Sequence, residues 1–195
     1  YGEKQVLKNI DWEVNSGEQW LLQGHNGSGK STLLSLLNGD HPQAYANEIH
    51  LFGQKRGSGE SIWDIKEKIG MISPELHWYF DMNANVGQTI ASGFFDSMSL
   101  YQKLSFDQQK QLEQILYFFD LKDDKNKKLS TLPLGKQRLA LLARTLIKKP
   151  KLLILDEPCQ GMDNEQTQYF NQVIDDLAGQ GQSLIYVGHF ESQLP

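Results

Sequence analysis

The run Gly24-His25-Asn26-Gly27-Ser28-Gly29-Lys30-Ser31-Thr32 constrains this chain more than any other. It fits the pattern G-x-x-x-x-G-K-[ST], in which a glycine-rich loop joins a strand to a helix. Apolar Leu21-Leu22 precede it and helix-favouring Leu33-Leu34 follow, so the strand–loop–helix context is present too. Glycines here let the backbone wrap around a phosphate with no Cβ in the way. The loop N–H groups then form an anion-binding nest at a helix N-terminus. Lys30 adds a point charge for the outer phosphates, and the Ser31 hydroxyl suits Mg²⁺. Asn26, Gly27, Ser28, Gly29 and Thr32 complete the phosphate-facing set. A plain glycine-rich turn ahead of a helix is the competing reading.

Composition narrows the partners. With 195 residues, 39% of them hydrophobic, the chain suits one domain with a sizeable core. Its net charge of −5 argues against nucleic acid or an anionic membrane surface. The densest basic group, Lys122 to Lys128, is interleaved with Asp123, Asp124 and Asn126 and reads as a solvated loop. No apolar run approaches bilayer length, and no secretory signal is visible. Cys159 is the only cysteine, which excludes an intramolecular disulfide and fits a reducing cytosol. It has no CxxC spacing, so a structural role is expected.

Hydrophobic patterning predicts strands alternating with helices. Val6 to Val14 reads as a strand pair or one bent strand. Gln19 to Gln23 reads as a short buried strand feeding the loop. A helix is expected from Lys30 to about Asn38, stopped by Gly39 and Pro42. A strand over Glu48 to Phe52 follows, then a loop from Gly53 to Gly59. Ser61 to Lys68 reads as a short helix, and Ile69 to Ser73 as a strand ended by Pro74. From Asn85 to about Arg144 the pattern is helical, with a further helix expected from Lys136 to Lys149. Lys151 to Leu155 is apolar after its lysine, as in a strand buried on both faces of a parallel sheet. Gln166 to Leu177 is amphipathic, and Ser183 to Val187 is another apolar strand. The expectation is an α/β doubly wound sheet with right-handed crossovers. One domain is expected, with a core from 1–84 and 145–195 and a helical subdomain inserted at about 85–144.

Leu152-Leu153-Ile154-Leu155-Asp156-Glu157 carries the second strong signal. A buried strand ending in two acids places them at the carboxyl edge of the sheet, where open α/β sheets bind ligands. Asp156 there suits Mg²⁺, and Glu157 suits polarising an attacking water. His189 ends the last apolar strand and reads as a contact to the terminal phosphate, with a satisfied surface or core histidine as the competing reading. Asp163 follows Gly161-Met162, with a simple helix cap as the competing reading.

Together these residues resemble the ATP-binding cassette ATPases, over nearly the whole chain. The phosphate loop, the Leu-Leu-Ile-Leu-Asp-Glu-Pro run, Gly161-Met162-Asp163 and His189 occur in that family's order. The resemblance implies a P-loop fold with a RecA-like parallel sheet and an inserted helical subdomain. It implies ATP and Mg²⁺ as cofactors, and ATP hydrolysis at a site shared between two cassettes packed head to tail. Tyr1 occupies the place of the family's adenine-stacking aromatic; an exposed terminal Tyr is the alternative. Gly39-Asp40-His41-Pro42-Gln43, Gly57 to Lys66 and Ser92-Gly93-Phe94-Phe95-Asp96-Ser97 resemble the second cassette of tandem proteins linked to molybdenum transport or photorepair. That implies a second cassette as partner, in the same chain or as a homodimer, and a cytoplasmic place, peripheral at the inner membrane if a permease joins it. Tyr1 in place of Met, and the few residues after His189, are expected of a fragment of a longer protein.

Two departures from the family pattern matter. The signature Leu-Ser-Gly-Gly-Gln aligns with Leu132-Pro133-Leu134-Gly135-Lys136, which keeps only Leu132 and Gly135. Pro133 offers neither a hydroxyl nor a backbone N–H. Gly135 can still bring backbone to a phosphate, and Lys136 can offset negative charge. The glutamine-loop residue aligns near Pro74, with Ser73 and Glu75 as polar neighbours. Three functions follow: an ATPase driving transport or another mechanical task, a nucleotide-gated binding module with slow turnover, and a nucleic-acid-associated cassette that the charge disfavours. Phe80, Phe94, Phe95 and Met98 are candidates for a permease contact, with a helical-lobe core as the alternative.

Overall fold

The computed structural model describes residues 6–74, 80–81, 83–97 and 99–188. Its strands are β1 (Gln19–Leu22), β2 (His50–Leu51), β3 (Gln54–Lys55), β4 (Ile69–Ile72), β5 (Leu152–Asp156) and β6 (Ser183–Val187). Its helices are α1 (Lys30–Leu37), α2 (Ile62–Lys68), α3 (Val86–Ala91), α4 (Phe106–Phe118), α5 (Leu134–Leu146) and α6 (Asn164–Gly179). The main sheet is parallel, in the order β1-β6-β5-β4.

Period-two alternation divides the core. Leu153, Leu155, Leu184 and Tyr186 face one cluster, with Ile90 of α3, Leu116 of α4, Leu142 of α5 and Ile174 of α6. Leu152, Ile154, Ile185 and Val187 face the other, with Leu34 of α1 and Ile65 of α2. Helices therefore cover both faces, as the doubly wound reading requires. Helix starts follow their side chains: Ser61, Asn85 and Ser105 each make a reciprocal capping box with the residue three ahead.

Three local expectations are corrected. Residues 6–18 form no strand, and Ile10 is 55% exposed. Their β-forming side chains find no neighbouring strand to pair with among the described residues, so propensity alone does not build one. The strand before the phosphate loop forms, but it is not buried: Trp20 and Leu21 are 38% and 44% exposed. Among the described residues β1 pairs only with β6, which puts it at the edge of the sheet they form. The loop from Gly53 to Gly59 contains a strand, because Phe52 and Gly53 take φ of 52° and 81° and close a two-residue turn between β2 and β3.

The segment Ser92 to Ser97 is docked by Arg144 of α5. Its Nε donates to Ser92 Oγ at 3.1 Å and its Nη2 to Ser97 O at 2.8 Å. The same guanidinium lies 4.6 Å from the Phe80 ring centre. A Cβ at Gly93 would meet Arg144 O at 2.1 Å, so only glycine allows this approach. Phe80 is buried and Phe94 packs on the same cluster, which favours the core role weighed for them.

Candidate nucleotide site

Strand register assembles the site. Leu22 of β1 lies level with Val187 of β6, and Val187 lies level with Asp156 of β5. Three parallel strands thus end together, and the loop after β1 meets the acids after β5 with one strand between them. At about 4.8 Å per strand, that separates the two backbones by roughly 10 Å. β6, the strand leading toward His189, is the one in the middle.

The loop is shaped by glycine. Gly27 and Gly29 take φ of 79° and 98°, which L side chains rarely adopt. A Cβ at Gly24 would meet Ser28 Oγ at 2.6 Å, and one at Gly29 would meet Leu7 at 2.9 Å. Ser28 N donates to His25 O at 3.1 Å, closing the turn. Gly29 then caps α1 with no side-chain hydrogen bond. Lys30 arches back across the loop and donates to Gly24 O at 2.5 Å and His25 O at 3.2 Å. His25, Asn26, Gly27 and Ser31 are exposed, so the cradle is open on one side; Thr32 is half-buried behind it.

The acids sit where the sheet ends. Asp156 is half-buried. Glu157 has φ of 46°, a left-handed conformation for a residue that precedes proline. Its N–H donates to Val187 O at 3.0 Å, and its carbonyl accepts from Gln160 N at 3.1 Å. Asp163 caps α6: its carboxylate accepts from Gln166 N at 2.8 Å. Tyr1, His189, Glu75 and Met98 lie outside the described residues. Ser73 is buried just past β4.

The start of α5 is built differently. Pro133 occupies the N-cap with no side-chain hydrogen bond. Gly135 N instead donates to Gln166 Oε1 of α6 at 3.2 Å. A Cβ on Gly135 would meet Gln166 Cγ at 2.9 Å. Lys136 donates to Asp124 Oδ2 at 2.6 Å, and Lys127 reaches Asp124 Oδ1 at 2.6 Å. Burial pushes the Asp124 carboxyl up, but the two lysine hydrogen bonds outweigh it and hold it below the usual carboxylate range. Sequence reasoning missed Gln166 and Asp124. Gln166 lies 31 residues from its partner, and no local pattern marks it.

The donor set suits a magnesium–triphosphate. Mg²⁺ is held by one or two protein oxygens plus substrate phosphates. Ser31 supplies a hydroxyl beside the cradle and Asp156 a carboxylate at the strand end two places along the sheet.

The family model for "ABC transporter" matches residues 7–160. The ABC transporter ATP-binding protein ModF of Escherichia coli is 46% identical across all of this chain and 40% of its own length. An uncharacterized ABC transporter ATP-binding protein of Schizosaccharomyces pombe is 37% identical over the same shares, so the chain spans well under half of these relatives. YmeB of Lactococcus lactis is 31% identical over 98% of this chain and 74% of its own. CbiO1 of Clostridium perfringens, part of the transporter complex cbiONQ, superposes with a TM-score of 0.81 at 26% identity, covering 95% of this chain and 72% of that one. The dimeric bacterial cassette MJ0796 shares the fold, with a TM-score of 0.75 at 19% identity over 99% of this chain and 84% of its own. With the phosphate loop and paired acids at one sheet edge and the family model spanning most of the sequence, the chain belongs to the ABC transporter family of ATP-binding cassettes.

Proposed function

We propose that this chain is one of two cassettes that share ATP–Mg²⁺ and hydrolyse it at a composite site. The register that ends β1, β6 and β5 together carries the reading. Asn26 to Thr32 wrap the phosphates, and Lys30 exchanges its loop carbonyls for phosphate oxygens. Ser31 and Asp156 hold Mg²⁺, which neutralises charge developing on the phosphates. Glu157 orients and polarises the water, which attacks the terminal phosphorus in line as its bond to ADP breaks, with little covalent help from protein. His189 and Tyr1 take the roles of phosphate contact and adenine platform. Gly135 and Asp163 face the partner cassette. The single-domain division, with a helical subdomain at about 85–144, belongs to the same reading.

This chain fills 40% of the ModF relative, which leaves room there for a second cassette of similar size. The partner is therefore a second cassette, in the same chain or as a homodimer. Among the described residues no helix is long and apolar enough to cross a membrane. A cytoplasmic protein that works with a membrane permease fits the relative's name, with molybdate transport or photorepair as the specific tasks. ATP turnover by the full-length protein, with and without Mg²⁺, tests the reading. Absence of Mg²⁺-dependent hydrolysis in a chain that still binds ATP would instead favour a nucleotide-gated binding module, which the altered signature segment also suits.

A further inference from the structure

Glu157 sits in a left-handed conformation just before Pro158, an arrangement that persists only where surroundings over-determine it. Two backbone hydrogen bonds hold its near side. A buried polar chain holds its far side. Cys159, two residues on, is 3% exposed and donates its thiol to Asn171 Oδ1 of α6 at 3.7 Å. With that proton committed, the sulfur accepts from Tyr186 OH of β6 at 3.5 Å. Tyr186 is 3% exposed and immediately precedes Val187, whose carbonyl receives the Glu157 N–H. Met162 N then donates to Cys159 O at 3.1 Å, tying on the turn that leads to Asp163.

Both groups stay neutral. Burial pushes the Cys159 thiol up, against the opposing pull of the Tyr186 hydrogen bond and the nearby Arg138 charge. Burial likewise pushes the Tyr186 phenol far up. Arg138 of α5 is 5% exposed, and its Nε and Nη1 have no hydrogen-bond partner among the described residues. A thiol this buried, bonded on both sides, is shielded from redox chemistry; its geometry serves position.

We infer that the Tyr186–Cys159–Asn171 chain is a positioning device for Glu157, fixing the acid's backbone to β6 and α6 so that its carboxylate meets the attacking water in one place. The inference rests on the proposed role of Glu157. Strand β6 thereby anchors the acid twice, through Val187 O and through the Tyr186 hydroxyl. The turn from Glu157 to Asp163 is coupled to α6 by Asn171 at one end and by the Asp163 cap at the other.

The test uses the full-length protein and four variants: Tyr186→Phe, Cys159→Val, Cys159→Ser and Glu157→Gln. Tyr186→Phe and Cys159→Val should each lower kcat by roughly 10- to 100-fold, with KM for ATP and thermal midpoint nearly unchanged. Their double variant should be no worse than either, since both break one chain. Cys159→Ser keeps a donor and an acceptor and should restore most of the rate. Normal kcat in Tyr186→Phe, with Glu157→Gln inactive, overturns the positioning role alone. Loss of kcat, affinity and stability together, unrescued by Cys159→Ser, also overturns it, because that is a packing defect. A slow Tyr186→Phe beside an active Glu157→Gln overturns the Glu157 reading, and the claim that the chain works through that acid goes with it.

Discussion

At the start of α1, Gly27 and Gly29 turn the loop at φ of 79° and 98°, and its face is left open to a ligand. At the start of α5, Pro133 has no side chain to cap with, Gly135 N is bonded to Gln166, and Lys136 is committed to Asp124. Both are helix N-termini with the same partial positive charge. The first keeps an exposed face, with its Ser28 N–H and its Lys30 ammonium bonded to carbonyls of its own loop. The second has its Gly135 N–H and its Lys136 ammonium bonded to side chains of other elements. Polarity at a helix end is therefore not enough to make a phosphate site; what matters is whether the end stays exposed, as at Gly27 and Ser31, or is buried under another element, as at Gly135. On the proposed composite-site reading, the site on this phosphate loop is then the better equipped of the two.

Lys30→Ala should break the comparison most severely. Removing this cation over the loop should cost about 10²–10³-fold in kcat/KM, the scale of losing a preorganised charge or donor, and isothermal titration should show weakened ATP binding. Glu157→Gln should follow, with kcat down about 10²-fold or more while nucleotide binding persists in the same titration. If the equivalent change in the partner cassette costs the same, the sites are not unequal.

Asp124→Asn probes the second region. The Asp124 side chain is 5% exposed but its lysines are 58% and 42% exposed, so the loss should be about 1–3 kcal/mol in urea unfolding. A depressed carboxylate contributes stability above its unfolded value, ~3.9, and loses it as pH falls through the lower folded value. Lys136, pushed up by Asp124, contributes below its ordinary value and loses that as pH rises through the higher folded one. Asp124→Asn should flatten both ends of the thermal-midpoint profile. Pro133→Ser should have the smallest effect. A serine N-cap stabilises a helix by about 1 kcal/mol, and single-turnover assays should show hydrolysis rising a few-fold at the partner's site only.

Much of the fold was legible because burial on both faces leaves a continuous apolar run. β5 was read from Lys151 to Leu155 against the observed Leu152–Asp156, and β6 to the residue from Ser183 to Val187. Val6 to Val14 misled, because β-formers need a neighbouring strand and none of residues 6–18 joins the sheet. The β2–β3 turn was missed because Phe52, not Asn or Asp, takes its first left-handed position. The helix-cap reading of Asp163 was legible from its place before an amphipathic run, and its bond to Gln166 N bears that out.

By itself the sequence determined the chemistry of the opening loop. Glycines where φ is positive and a lysine at the helix start depend only on local backbone, which a short stretch specifies. The acids were likewise local, as the end of an apolar strand. Only the tertiary structure decided that Leu22, Val187 and Asp156 stand level, that Gln166 occupies the Gly135 N–H, and that Cys159 is held by Tyr186 and Asn171. Those pairings join residues far apart in the chain. Register and side-chain satisfaction are properties of the packed whole, and no local sequence pattern encodes them.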